Sequence, residues 1–157
     1  MTNFLVSGDL GFIGSHLTEE LDNAGHDVTV LDHLSNGDQN NLSHLKNKST
    51  LCKSDLEQIK STIFSKKFDV IFHIATAPRS SSLKDPLRDI ETNCKGMLSV
   101  LELAKKDDAK VVFTSNSDIY GSKDNTSSID ENSINNPTTP RDVNKLVSEF
   151  YCKIWKE

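Results

Sequence analysis

Asn3-Phe4-Leu5-Val6-Ser7-Gly8-Asp9-Leu10-Gly11-Phe12-Ile13-Gly14-Ser15-His16-Leu17 is the stretch whose reading decides the fold. Asn3 to Ser7 is a short apolar run suited to a buried strand. From about Phe12 to Ala24 the spacing changes, and Ile13, Leu17 and Leu21 recur as on one face of a helix. Between the two lies G-x-x-G-x-x-G, made of Gly8, Gly11 and Gly14. At the mouth of a helix, missing side chains let backbone N–H groups approach a pyrophosphate, and the helix dipole favours its charge. Glycines at this spacing also arise as ordinary turn and packing residues, so the motif needs its context.

The next apolar run, Val28 to Leu31, ends at Asp32, 18 positions after Gly14. A carboxylate at that strand tip can accept both hydroxyls of an adenosine ribose, and it would repel a 2′-phosphate. No Arg or Lys follows in His33-Leu34-Ser35-Asn36-Gly37, so the expected cofactor is NAD rather than NADP. An acid at a strand end also serves simply to cap the next turn, and that alternative stays open here.

Outward from this core, short runs and amphipathic segments alternate. A run centred on Leu51 precedes a helix marked by Leu56, Ile59 and Ile63, and Val70 to Phe72 forms a fourth strand. Pro86 to Lys106 reads as a long helix with Ile90, Cys94, Met97, Leu101 and Ala104 on one stripe. Val111 to Thr114 is the fifth strand, followed by a loop rich in Ser, Asn, Asp and Pro; a last helix from near Arg141 carries Leu146, Val147, Phe150 and Ile154 on one side. The pattern predicts an α/β fold, a Rossmann-type doubly wound parallel sheet of about five strands in order 3-2-1-4-5 with helices on both faces. Residues 1–157 are expected to form a single domain.

Composition narrows the function. Of the 157 residues 35% are apolar and 26% charged, and the net charge of −5 comes without a basic stripe, so nucleic acid is not an expected partner. No apolar stretch is long enough for a membrane span and the N-terminus lacks the form of a signal peptide, so a cytoplasmic protein is expected. Cys52, Cys94 and Cys152 are odd in number and widely spaced, which predicts free thiols and no metal site.

These motifs together resemble the extended short-chain dehydrogenase/reductases, in particular the NAD-dependent sugar-nucleotide epimerases and dehydratases. The opening glycine stretch and Leu31 to Gly37 look like the family's fingerprint and ribose-binding turn. Ser54-Asp55-Leu56 is similar to its adenine-contacting element, with Ser54 in place of a glycine. His73-Ile74-Ala75-Thr76-Ala77 resembles the end of its fourth strand, and Asp85-Pro86-Leu87 through Thr92-Asn93 its next helix. The resemblance implies a cofactor site of Gly8, Gly11, Phe12, Ile13, Gly14, Asp32, His33, Ser35, Asn36, Gly37, Asp55, Leu56, Ile74, Ala75, Asn93 and Lys145. It also implies a sugar nucleotide as substrate, and a homodimer through helices 86–106 and 141–155.

The catalytic positions depart from that family. The resemblance implies a Tyr base four residues before Lys145, and Arg141 stands there, in an ungapped stretch from Thr139 to Glu149. Guanidinium cannot accept a proton. Where a catalytic Ser or Thr is implied stands Asn116. The family's C-terminal substrate lobe is also absent from these residues. The expected function is therefore an NAD-binding domain with weak or no turnover. Completion of an active epimerase or dehydratase by another chain, and a non-catalytic dimeric interaction module, are the alternatives. For Arg141 itself, a different reaction with Lys145 on a small anionic substrate stands against a structural ion pair with a neighbour of Asp142 or with an acid of the long loop.

Overall fold

The computed structural model describes residues 1–8, 10–33, 38–43, 45, 50–54, 66–121 and 128–155. The expected helix at Leu56, Ile59 and Ile63, and the candidate residues Ser35, Asn36, Gly37, Asp55 and Leu56, lie outside them. Strands β1 (Asn3–Ser7), β2 (Asp27–Asp32), β3 (Thr50–Lys53), β4 (Val70–His73) and β5 (Lys110–Phe113) form one parallel sheet in the order β3-β2-β1-β4-β5. That is the order expected from the sequence.

Alternation along the strands sends successive side chains to opposite faces, and a central parallel strand is covered on both. Phe4, Val6, Val28 and Val30 pack on one side with Leu17 and Leu21 of α1 (Phe12–Asn23). Leu5, Leu31 and Ile71 pack on the other with Val100, Leu103 and Ala104. Each such aliphatic side chain stabilises the fold by roughly 1.5–3 kcal/mol on burial. Cys52, Cys94 and Cys152 are free and half-buried, and burial pushes all three thiols up from their ordinary pKa.

After β4 comes α2 (Arg79–Lys84), then α3 (Pro86–Ile90), a π-helical turn (Glu91–Lys95) and α4 (Gly96–Asp107). Asp85 caps α3 by accepting from the Arg88 N–H at 3.0 Å, with Pro86 in the first turn. The sequence stripe assumes a constant advance of about 100° per residue. In the π turn each residue advances less, so the buried face slips by about one position. Met97, Leu101 and Ala104 are buried as expected, whereas Ile90 is 42% exposed and Asp89 occupies the inward place.

Helix α5 (Pro140–Trp155) differs from expectation in the same sense. Its buried residues are Asp142, Asn144, Lys145 and Ser148, while Phe150 and Ile154 are 52% and 61% exposed. Polar pairs join it to the preceding helices: Asn144 Nδ2 donates to Asp89 Oδ2 at 2.6 Å, and Ser148 Oγ donates to the Asn93 carbonyl at 3.1 Å. Phe150 and Ile154 face outward, while Leu146 and Val147 stay half-buried, because the inward positions are taken by these hydrogen-bonded groups. Among the described residues no helix is long and apolar enough to cross a membrane.

The strand order reverses between β1 and β4, where a doubly wound sheet opens a crevice at its carboxyl edge. Gly8 sits there with φ +77°, and a Cβ at this residue would lie 2.5 Å from the Ala75 backbone N and Cα. Gly8→Ala therefore combines a left-handed conformation with a main-chain clash. It is expected to lower unfolding free energy by roughly 2–4 kcal/mol, read as a shift of the urea midpoint.

Candidate functional site

The crevice is a cleft of about 570 Å³, within the ordinary range for small-molecule sites. One wall is the glycine turn, with Gly8, Gly11, Phe12, Ile13 and Gly14 all lining it. Gly11 is the N-cap of α1 and makes no side-chain capping bond, and the first turn has no acid. The helix therefore presents uncompensated N–H groups and its positive dipole end to the cleft. Phe12 and Ile13 beside it are 80% and 60% exposed.

Asp32 lies at the tip of β2, 8% exposed and lining the same cleft. Its Oδ2 accepts from the Leu10 N–H at 3.1 Å, so one carboxylate both braces the glycine turn and faces the cleft; His33 Nδ1 lies 3.7 Å from its Oδ1. Ile74 and Ala75, at the end of β4, form the floor beside Thr76. Asn93 does not line the cleft. It is buried, and its Oδ1 accepts from Thr76 Oγ1 at 3.2 Å, so it acts on the cleft through Thr76.

At the other end, α5 supplies Arg141 and Lys145, one turn apart and both lining the cleft. A reciprocal capping box fixes the start of this helix: Thr139 Oγ1 accepts from the Asp142 N–H at 3.3 Å, and Asp142 Oδ2 accepts from the Thr139 N–H at 3.0 Å. The Arg141 N–H donates to Ser82 Oγ at 2.8 Å. With its amide oxygen turned to the guanidinium, Asn116 accepts from Arg141 Nε and Nη2 at 3.3 and 2.9 Å. Asp118 Oδ2 stands 3.9 Å from Nη2, so the loop after β5 does supply an acid to Arg141.

Lys145 Nζ donates to the Thr114 carbonyl at 2.9 Å and lies 4.6 Å from the centre of the Phe113 ring. Burial first, and then the Arg141 charge, bring its pKa down to about 8, against a smaller opposing pull from Asp89. No tyrosine lines the cleft among the described residues, and the Asp142 carboxylate is committed to the capping box. Sequence reasoning did not single out Arg88, Glu91 and Thr92, which also line the cleft.

The carboxyl ends of β1 and β4 hold a buried polar pair. Ser7 Oγ and His73 Nδ1 are 2.7 Å apart, both residues are fully buried, and among the described residues His73 Nε2 has no partner. Burial, then the Lys145 charge, push the His73 pKa down to about 3.

A glycine turn at the switch point of a 3-2-1-4-5 sheet defines a Rossmann-type doubly wound domain. The family model for the NAD dependent epimerase/dehydratase family matches residues 4–157, and the chain belongs to that family. The structure of UDP-glucose 4-epimerase from Thermotoga maritima with UDP-glucose has a TM-score of 0.89 at 30% identity, covering 98% of this chain and 50% of that one. For the NAD complex of UDP-glucose 4-epimerase from Thermus thermophilus the TM-score is 0.88 at 29% identity, with 98% and 50% covered. UDP-glucuronic acid decarboxylase 1 of Danio rerio is 32% identical over 156 residues, 94% of this chain and 36% of that protein. The chain thus spans about half, or less, of the length of these relatives.

The His73 shift carries a pH dependence with a definite sign. A folded pKa of about 3 against an ordinary 6.5 means that the unfolded chain takes up the proton first as pH falls. This contribution is present above pH 6.5 and disappears progressively toward pH 3, on the order of a few kcal/mol in all. Urea unfolding across that window should fall more steeply for the wild type than for His73→Gln.

Proposed function

We propose that these residues are an NAD-binding domain that handles sugar nucleotides with weak turnover or none. The carrying observation is Arg141 in the cleft one turn before Lys145, where the family resemblance implies a tyrosine base. A guanidinium stays protonated and takes no proton from a sugar hydroxyl. Loss of a general base typically lowers a rate by about 10²–10⁴. Asn116 retains hydrogen-bonding ability beside the site, but its amide is engaged by Arg141.

The cofactor half supports binding. In this reading the open N-terminus of α1 receives the dinucleotide's phosphates, Asp32 holds the adenosine ribose, and Ile74 and Ala75 pack along the cofactor. NAD bound there would supply a hydride acceptor. Lys145, anchored by Thr114, would reach the nicotinamide ribose. Saturating NAD should raise the thermal midpoint, the equivalent of a few kcal/mol. UDP-glucose or UDP-galactose with NAD should give no epimer; clear conversion, or no protection by either NAD or NADH, overturns the proposal.

The outward stripe supports a second element, a homodimer. Leu87, Ile90, Val143, Phe150 and Ile154 are exposed at 75%, 42%, 44%, 52% and 61% on α3 and α5, helices that pack together through polar groups. A second copy related by two-fold symmetry would bury the same stripe on both sides. Light scattering at tens of micromolar should give twice the chain mass, and Phe150→Glu should halve it.

A further inference from the structure

We propose that a recess beside the cleft, walled by the residues after β4, by α2 and by α3, is a binding site for a small neutral polyol, with one ligand hydroxyl set between the Asp89 carboxylate and the Ser82 hydroxyl. The recess has a volume of about 190 Å³ and meets the cleft at His33, Thr76, Arg88 and Thr92, which line both. The inference goes beyond the dinucleotide reading, since none of Gly11, Asp32, Asn116, Arg141 and Lys145 lines this recess.

Unspent hydrogen-bonding capacity carries it. Asp89 lines the recess and is only 1% exposed. Its Oδ2 accepts from Asn144 Nδ2 at 2.6 Å, whereas its Oδ1 has no partner among the described residues. Ser82 lines the same recess and is fully buried. Its Oγ accepts from the Arg141 N–H at 2.8 Å, and its own proton has no acceptor among the described residues. Both side chains are thus held against α5, by partners about one turn apart, while Asp89 Oδ1 stays out of reach of Ser82. A buried carboxylate oxygen without a donor is costly, and a hydrogen bond made to it is charge-assisted.

These two valences select the ligand. One hydroxyl both donates and accepts, so a single ligand oxygen can donate to Asp89 Oδ1 and accept from Ser82 Oγ. An ammonium cannot accept, and an ionised carboxylate cannot donate. Charge points the same way. Asp85 and Asp89 line the recess with Arg88, and Asp89 lies close enough to Lys145 for its charge to counter the fall in that ammonium's pKa. Two acids against two basic groups leave little net charge to select an ion. His33, the remaining titratable group of the lining, pairs with Asp32 at 3.7 Å. Ser81 and Thr92 add hydroxyls that suit the further hydroxyls of a polyol. A water molecule takes up about 30 Å³, so the recess is several times larger than one water and admits a chain of a few carbons.

The test is an amide-resolved NMR titration of the 157-residue chain with erythritol, with and without NAD. The comparison probes are 1,2-dimethoxyethane, which only accepts, and ethylammonium, which only donates. Saturable shifts at Ser82, Asp89 and Thr92 with erythritol are expected, with either comparison probe weaker by about ten-fold or more. Asp89→Asn should weaken erythritol roughly ten-fold, because a charge-assisted bond becomes a neutral one. Ala77→Leu, which puts a larger side chain into the recess lining, should remove the saturable shifts. No saturation with erythritol means that water alone fills the recess and overturns the proposal. Equal binding of dimethoxyethane, or tighter binding of ethylammonium, overturns the polyol assignment as well. Should Asp89→Asn lose its fold, Ala77→Leu decides, and unchanged erythritol affinity in that variant overturns the site. NAD binding is read separately from shifts at Gly11 and Asp32, so failure of the cofactor reading leaves the erythritol result interpretable.

Discussion

The close passage of Gly8 beneath the backbone of Ala75 is the constraint from which the cleft follows. A side chain at residue 8 would push the ends of β1 and β4 apart, and these are the strands between which the sheet order reverses. With the two backbones in contact, the Gly8 N–H still reaches the Leu31 carbonyl at 3.0 Å and the Ile74 N–H reaches the Ser7 carbonyl at 3.0 Å. The turn that follows is then braced by Asp32 through the Leu10 N–H. Main-chain geometry and one carboxylate thus shape the described part of this wall of the cleft.

The far wall is built on a different principle. Where α1 and α4 meet the sheet through aliphatic side chains, α5 meets its neighbours through hydrogen bonds among Asp89, Asn144, Asn93, Ser148 and Ser82. A buried polar layer is directional: each donor accepts only a narrow range of positions, and an unmatched one is costly. That fixes the rotation of α5 and therefore which residues enter the cleft. It also turns Val143, Phe150 and Ile154 outward, so the ordering of the site and the exposed apolar stripe have one cause.

Strand positions were legible because each is a short apolar run ended by a glycine, an acid or a polar loop, and a buried parallel strand needs little else. The glycine turn and Asp32 were legible for the same local reason. Periodicity failed at Ile90 and Asp89 because a period presumes uniform winding, and the π turn at Glu91–Lys95 breaks it. Phe150 and Ile154 misled because an apolar stripe does not say which side of a helix its neighbours take, and here the polar positions face inward. Arg79–Lys84 was missed since Arg-Ser-Ser-Ser-Leu-Lys has weak helix preference, and its turn is stabilised by Ser82 packing under α5. Arg88, Glu91 and Thr92 reach the cleft only because α3 and the π turn are placed across it, which no local pattern records.

Arg141 sets the electrostatics of Lys145, one turn along the same helix. Beside a phenol, a buried ammonium favours the phenolate and so lowers the phenol's pKa; the pair is useful because its charges are opposite. Beside a guanidinium, the same ammonium meets a like charge, and its own pKa falls to about 8. Lys145 is anchored on the Thr114 carbonyl, and the residue one turn before it is a permanent donor. The change Arg141→Tyr would remove the donor to Asn116 and the charge near Asp118 together, so a phenol there also unties the loop after β5. The arginine is therefore coupled to Asn116 and Asp118, and the three residues form one hydrogen-bonded and ion-paired group.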